Sequence, residues 1–453
     1  MKAMLLRMVG AVLALAATVA TAPAAGLEHR VWLLSGTPAP ETLEALRGAG
    51  VDALVVPVGE AEIGERGVSF VLRPPAGAES FAGWPTSALV WVRGSGSAVG
   101  SAEEFWSQVG PAQRLLAGQA PLVLAAPRFW DGLPRFAVAV ARVAGRPVEL
   151  AVPASELAGR LPAEGWPGVT PVAVAFGNPP SLGFPPSTVH DDLQALDALD
   201  ARGLPYRAAI VVAPRSVPAP GPAGASLAAV TRGAVATYRP GELGDVFVLR
   251  QAIDWGGVRL EAGQQIETTV IDTARFHRDL GLLLRPVRTQ LVGWDTAGLP
   301  AAEPTLGMSR VAFLDYLRGG LPHPRPLPRV EMLGGNTVLV AIDNPTPHAS
   351  ALASTGNWVE LHFASAEARD VQFGEFTGVE YGRRVQGEWR RTAPREATAV
   401  RFYFTFLPPA SRVSGGLVSF IARPSQLAAG WGLRLGDGTE LEGAAAPVGA
   451  TRP

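Results

Sequence analysis

GVTPVAVAFGNPPSLGFPPSTVHDDLQALDALDARGLPYRAAIVVAPRS, residues 168–216, reads as a complete βαβ unit. Val172 to Phe176 is an apolar run of strand length, and Arg207 to Val212 is a second. Between them a Pro-rich loop ends in His190-Asp191-Asp192, and a helix-patterned segment runs on to Arg202. Strands that are apolar on both faces belong to parallel sheets covered by helices, whose sites gather at the strands' carboxyl ends. The unit predicts an architecture and the end of it where chemistry belongs.

The same alternation continues outward. Toward the amino terminus, apolar strands are centred near residues 31, 54, 90, 123 and 149, with helical stretches at 40–47, after Ser101 and at 135–143. Pro40 opens the first of these helices, while Ser101 caps the second with Glu103 and Glu104 in its first turn. Toward the carboxyl terminus, QLVGW (290–294) supplies an eighth strand, and the helices 273–284 and 307–317 flank it. Eight strands alternating with helices predict a (β/α)8 TIM-like barrel over residues 27–320. Short strands between Asp245 and Ile271 read as an inserted hairpin or meander.

LPHPRPLPR, residues 321–329, is a Pro-dense linker. Beyond it the apolar period becomes two, as in Val338/Val340/Ile342, Val359/Leu361/Phe363 and Val400/Phe402/Phe404. This predicts a C-terminal antiparallel β-sandwich over residues 330–445 and a disordered tail at 446–453.

Residues 1–24 carry Lys2 and Arg7, an apolar run from Met8 to Ala20, and small residues up to Ala24, the layout of a signal peptide. The expectation is an exported protein, periplasmic or extracellular. No other segment approaches the roughly 20 apolar residues of a membrane span, so no stable anchor is expected after cleavage. Loss of Lys2 and Arg7 lowers the formal charge from −1 to −3, far from the basic footprint of a nucleic-acid binder.

The chain has no cysteine, which excludes disulfides, thiol nucleophiles and thiolate metal sites. Lys2 is the sole lysine, so the mature chain can form no Schiff base and no Walker A loop. Motifs of the form G-x-S-x-G, H-E-x-x-H and strand-linked G-x-G-x-x-G are missing, and neither a cofactor nor a metal is expected.

The candidate residues are acids and aromatics at strand ends. Glycoside hydrolysis needs two carboxylates flanking the scissile bond, and Glu60, Asp191 and Asp295 are the candidates. Trp130 and Trp294 are candidate platforms for a sugar ring, with Asp131 and His190 as polar neighbours. Each has a plainer reading. Thr188 and Asp191 have the spacing of a helix cap, and Trp294 is placed to be a core tryptophan followed by a turn-forming acid.

Two resemblances accompany these residues. Asp191-Asp192 followed by RGLPYRAAIVV resembles the first motif of polysaccharide deacetylases, but the closely spaced histidine pair of that family has no counterpart among the six histidines here. The series HRVWLL, DALVVPVGEAEI, PLVLAAPRFWDGLPRFAVAVARVAGRPVELAVPASELAG and QLVGWDTAGLP resembles an exported bacterial family of unknown function with a glycoside-hydrolase-like TIM barrel. The resemblance implies acids at the end of a central strand. Here that end is Ala125-Ala126-Pro127, with Asp131 the nearest acid.

Two functions follow. One is an exported glycosidase-like barrel acting on or binding carbohydrate, with its catalytic site intact or degenerate. The other is a non-catalytic cell-envelope binding or scaffold protein.

Overall fold

The computed structural model describes residues 26–447, except 35, 66, 74–80, 82, 118–119, 178–182, 186, 213–214, 218–234, 240–244, 256–257, 270–271, 301, 303–306 and 354. The predicted signal peptide lies outside the described residues. No helix among those described is long and apolar enough to cross a membrane.

The first strands are β1 (Glu28–Trp32), β2 (Ala53–Ile63), β3 (Val68–Leu72), β4 (Thr86–Gly94), β5 (Leu122–Ala125), β6 (Val148–Pro153), β7 (Val169–Gly177) and β8 (Tyr206–Val211). A four-stranded antiparallel insertion follows, made of β9 (Arg215–Val217), β10 (Val235–Arg239), β11 (Asp245–Leu249) and β14 (Gln265–Thr269). Between its last two strands lies the hairpin β12 (Ile253–Trp255) and β13 (Val258–Leu260). β15 (Leu291–Ala297) then enters in parallel between β8 and β1.

Because β1 also pairs in parallel with β2, the strands β1, β2, β4, β5, β6, β7, β8 and β15 close into an eight-stranded parallel barrel. β3 adds to it as an antiparallel flap on β2. The opening stretch is one wall unit: β7, the helix Val189–Asp200 and β8, with Val172 in register with Arg207.

Side-chain alternation divides each strand between two cores. Inward, Trp32 fills the barrel against Val55, Leu89, Val123, Val172 and the small Ala151, Ala209 and Ala297. The large indole fits because alanines face it. Outward, Leu54, Val90, Leu124, Leu150, Ala173 and Ile210 pack beneath the helices with Phe105, Phe136 and Leu196. Helices at Ala102–Ala117, Leu133–Ala144, Thr273–Leu283 and Arg310–Leu317 match the apolar pattern. The short helix Ala154–Arg160 is additional.

Downstream, β16 (Leu327–Gly334), β17 (Thr337–Asn344), β18 (Trp358–Ala364), β19 (Ala368–Gln372) and β20 (Gly378–Val385) precede β21 (Glu388–Arg391), β22 (Ala399–Tyr403), β23 (Ser411–Phe420), β24 (Gln426–Arg434) and β25 (Glu440–Pro447). They form antiparallel sheets of order β16-β17-β23-β19 and β21-β20-β22-β18-β24-β25. Val338, Val340, Ile342 and Val418 of the first share one apolar core with Val359, Leu361, Val400 and Phe402 of the second. β16 begins inside the Pro-rich stretch. Pro328 is tolerated there because β16 is an edge strand, where a missing N–H need not break a ladder. β25 runs to Pro447.

Candidate functional site

The carboxyl-end mouth of the barrel is built by three elements. β2 and β4 run on together past the end of β5, and a register shift between Pro57 and Gly59 re-aims β2. Beyond it Glu60 pairs with Trp91, and Glu62 with Arg93. Paired residues of neighbouring strands share a face. Trp91 packs on the inward core, so Glu60, Glu62 and Arg93 stand on the wall continuous with the barrel interior. Phe184, from the loop after β7, is buried in the same inward core with its ring 6.1 Å from that of Trp91. The mouth therefore has the half-buried Trp91, backed by Phe184, beside a charged wall.

Between this wall and the end of β5 lies a cavity of about 370 Å³ lined by Val92, Arg93, Gly94, Pro127, Arg128 and Gly183. Gly94 is required there: a β-carbon would lie 2.6 Å from the Trp130 ring. Trp130 is buried and donates its indole N–H to the Ala98 carbonyl at 2.9 Å. It buttresses the mouth from behind and presents no open face to a ligand. Asp131 is exposed and paired with Arg160 at 3.1 Å, and the Arg160 guanidinium also lies over Phe129.

Glu60 is half exposed and 3.4 Å from Arg73. His190 and Asp191 lie on the exposed first turn of the helix Val189–Asp200. Asp191 closes a reciprocal cap with Thr188, and hydrogen bonds from the Thr188 side chain and backbone hold its carboxyl below the ordinary range. The adjacent Asp192 turns inward, accepting the Phe176 N–H at 2.7 Å and the Ser187 hydroxyl at 3.0 Å. It holds Phe176 at φ 54°, a strained angle for a residue with a side chain. Burial pushes the Asp192 carboxyl up to about 7 against those hydrogen bonds, helped by the charges of Asp191 and Asp279.

Asp295 lies inside the barrel wall, fully buried. It accepts Arg30 Nε at 2.9 Å and Nη2 at 2.8 Å, Arg207 Nε at 3.2 Å and Nη2 at 2.8 Å, and the Trp32 indole at 2.9 Å. Arg30 also forks onto Glu149 at 3.0 and 2.7 Å, and Arg207 reaches Glu28 at 2.6 Å. Gly293 leaves room for this knot, since a β-carbon would meet the Arg207 guanidinium at 2.3 Å. Burial alone would raise the Asp295 carboxyl. The charges of Arg30 and Arg207, with hydrogen bonds from Arg30 and Trp32, reverse this and hold it well below the carboxylate range. A carboxylate so occupied has no proton to give and little free lone-pair density.

Trp294, one residue earlier, points to the opposite face. Its ring stacks on His29 with centroids 3.6 Å apart and 5° between planes, and it is buried beneath the helices. Burial lowers His29 to about 3, so that ring is neutral.

No hydrogen bond or ion pair joins any two of Glu60, Asp191 and Asp295; each has different partners. Among the described residues no group of three His, Asp or Glu could hold a metal. Sequence reasoning passed over Arg30, Glu149 and Arg207, although a charge inside an apolar strand signals a buried partner. It also passed over Trp91, Arg93 and Arg128, whose convergence depends on the shifted register of β2 and β4.

No known family matches the chain, and no curated protein is similar to it. Among solved structures it is similar to the crystal structure of the Bacillus megaterium QM B1551 spore cortex-lytic enzyme SleL. The identity is 12% and the TM-score 0.36, over 60% of this chain and 70% of that one.

Proposed function

We propose that the protein is an exported barrel protein that binds a carbohydrate chain across the carboxyl-end mouth of its barrel without cleaving it. The observation that carries this reading is the half-buried Trp91, backed by the buried Phe184 at 6.1 Å and preceding Val92 and Arg93, which line a cavity of about 370 Å³. An indole face beside hydrogen-bonding groups suits a sugar ring, which has apolar C–H faces and polar edges.

The non-catalytic half of the reading rests on the candidate carboxylates among the described residues. A glycosidase places two of them on either side of the scissile bond, one with a raised pKa as acid. Asp295 is held ionised in a knot of arginines, and Asp191 is a helix cap. Glu60 and Glu62 stand two residues apart on the same wall, so they do not flank a ring from opposite sides.

The test is titration calorimetry against a panel of neutral and acidic oligosaccharides, alongside an assay for new reducing ends. Binding without reducing-end release, weakened about tenfold or more in Trp91→Ala, is the expected result. Reducing ends that disappear in Glu60→Gln would overturn the non-catalytic half of the reading. Failure of every glycan to bind would overturn the whole and leave an envelope scaffold.

A further inference from the structure

We infer that Arg93 and Arg128 form an anion-recognising subsite in the barrel mouth, and that its ligand is a glycan carrying carboxylate groups. This rests on the carbohydrate reading above and specifies its ligand. The two arginines come from different strand ends, Arg93 near the end of β4 and Arg128 from the loop after β5, yet both line the same cavity of about 370 Å³. The rest of its lining is Val92, Gly94, Pro127 and Gly183, so among the described residues the cavity presents two positive charges and no carboxylate.

Neither guanidinium is spent elsewhere. Many of the described arginines are tied to an acid, a carbonyl or an aromatic ring, as Arg30, Arg160, Arg207, Arg288 and Arg401 are. The side chains of Arg93 and Arg128 have no ion pair, hydrogen bond or ring contact with any described residue. Glu62, the register partner of Arg93, lines a neighbouring cavity of about 590 Å³ to which Arg93 and Glu104 also contribute.

Backbone chemistry keeps this pair in place. Gly94 allows Trp130 to pack directly behind the strand that bears Arg93. Gly183, at φ 83°, precedes Phe184, which anchors in the barrel, and a β-carbon on Gly183 would lie 3.7 Å from Pro127, the neighbour of Arg128. Two forked donors lining a small cleft, with the half-buried Trp91 two residues before Arg93, match a planar carboxylate on a sugar ring.

The test uses trigalacturonate, its fully methyl-esterified form and poly-L-glutamate as probes, with the full-length secreted protein and its Arg93→Gln, Arg128→Gln and double variants. Both arginines are exposed at the mouth, so unchanged melting temperatures are the control for folding. The expected result is that trigalacturonate binds at least about tenfold more tightly than the ester, and that each single variant loses about tenfold. In the double variant acid and ester bind alike.

Equal binding of acid and ester to the wild-type protein overturns the proposal, as does acid binding untouched by either variant. If the neutral ester binds through Trp91 with no arginine dependence, the carbohydrate reading stands and the anion subsite falls. Poly-L-glutamate binding as tightly as trigalacturonate, with the same arginine dependence, overturns the glycan class and the carbohydrate reading together.

Discussion

Asp295 makes clear how completely neighbours decide what an acid can do. A strand-end aspartate after a tryptophan reads as a sugar contact, but five N–H groups from Arg30, Arg207 and Trp32 converge on it within the barrel wall. Removing one member of a buried charge network leaves the others uncompensated, at a cost of about 3–5 kcal/mol. Asp295→Asn is therefore expected to lose stability of that order in urea denaturation; a loss under about 1 kcal/mol would contradict the structural role. Asp192 acts in the opposite sense. Its folded pKa of about 7 lies above its ordinary value of 3.8, so between those limits the native state holds a proton that the unfolded chain has released. Stability therefore falls as pH rises through that window and levels off above it, and Asp272, raised by burial to about 6, adds to the same trend. Asp192→Asn can still accept the Phe176 N–H without ionising. Thermal melts between about pH 4.5 and 8 should give a flatter profile for this variant than for the wild type, and parallel profiles would contradict the assignment.

At the scale of elements, β15 does two jobs by alternation. Trp294 faces out onto His29, Asp295 faces in onto the arginines, and Gly293 clears the space that Arg207 occupies. Adding a methyl group at Gly293 drives Arg207 off Asp295, and overpacking of this kind costs about 1–3 kcal/mol. Gly293→Ala should lower the urea midpoint accordingly; an unchanged midpoint would mean that the guanidinium relocates freely. β2 shows a second element-scale effect. The shifted register after Pro57 turns Glu60 and Glu62 toward the mouth where plain alternation would have turned Gly59 and Ala61. One irregular residue thus sets the charge of the site's wall.

At the scale of the molecule, the barrel and the C-terminal sheets are fastened by a few polar contacts. Asp272 caps the helix Thr273–Leu283 through the Arg275 N–H at 2.8 Å and accepts the Gly436 N–H, just after β24, at 2.7 Å. His348, before β18, bonds Thr273 at 3.0 Å and Asp315 at 2.9 Å on the barrel side. Asp272→Ala removes a cap and orphans the Gly436 N–H, together worth about 1–2 kcal/mol. The expected outcome is faster protease cleavage in the connection 321–326, followed by gel analysis of the fragments. Cleavage at the wild-type rate would place the fastening elsewhere. The C-terminal sheets carry their own charged knot, in which Arg384 and Arg401 grip the buried Glu360. In a chain whose sole lysine lies in the predicted signal, arginine does this work in both regions.

The barrel was legible in the chain because its strands are apolar on both faces and its helices on one, a pattern that survives without knowledge of any partner. The change to period two after residue 330 announced the antiparallel sheets for the same reason. The cap at Thr188 and Asp191 was also readable, since its partners are three residues apart. What only tertiary structure decided was which acids are free. Asp295, Arg30, Glu149 and Arg207 stand on four strands separated by up to 265 residues of chain, and their mutual neutralisation exists only once the barrel closes. The mouth is of the same kind: Trp91, Arg93, Arg128 and Phe184 converge through a register shift and a loop whose conformations no local pattern specifies. Periodicity is a property of neighbours along the chain, whereas the chemistry of a charged group is set by neighbours across it.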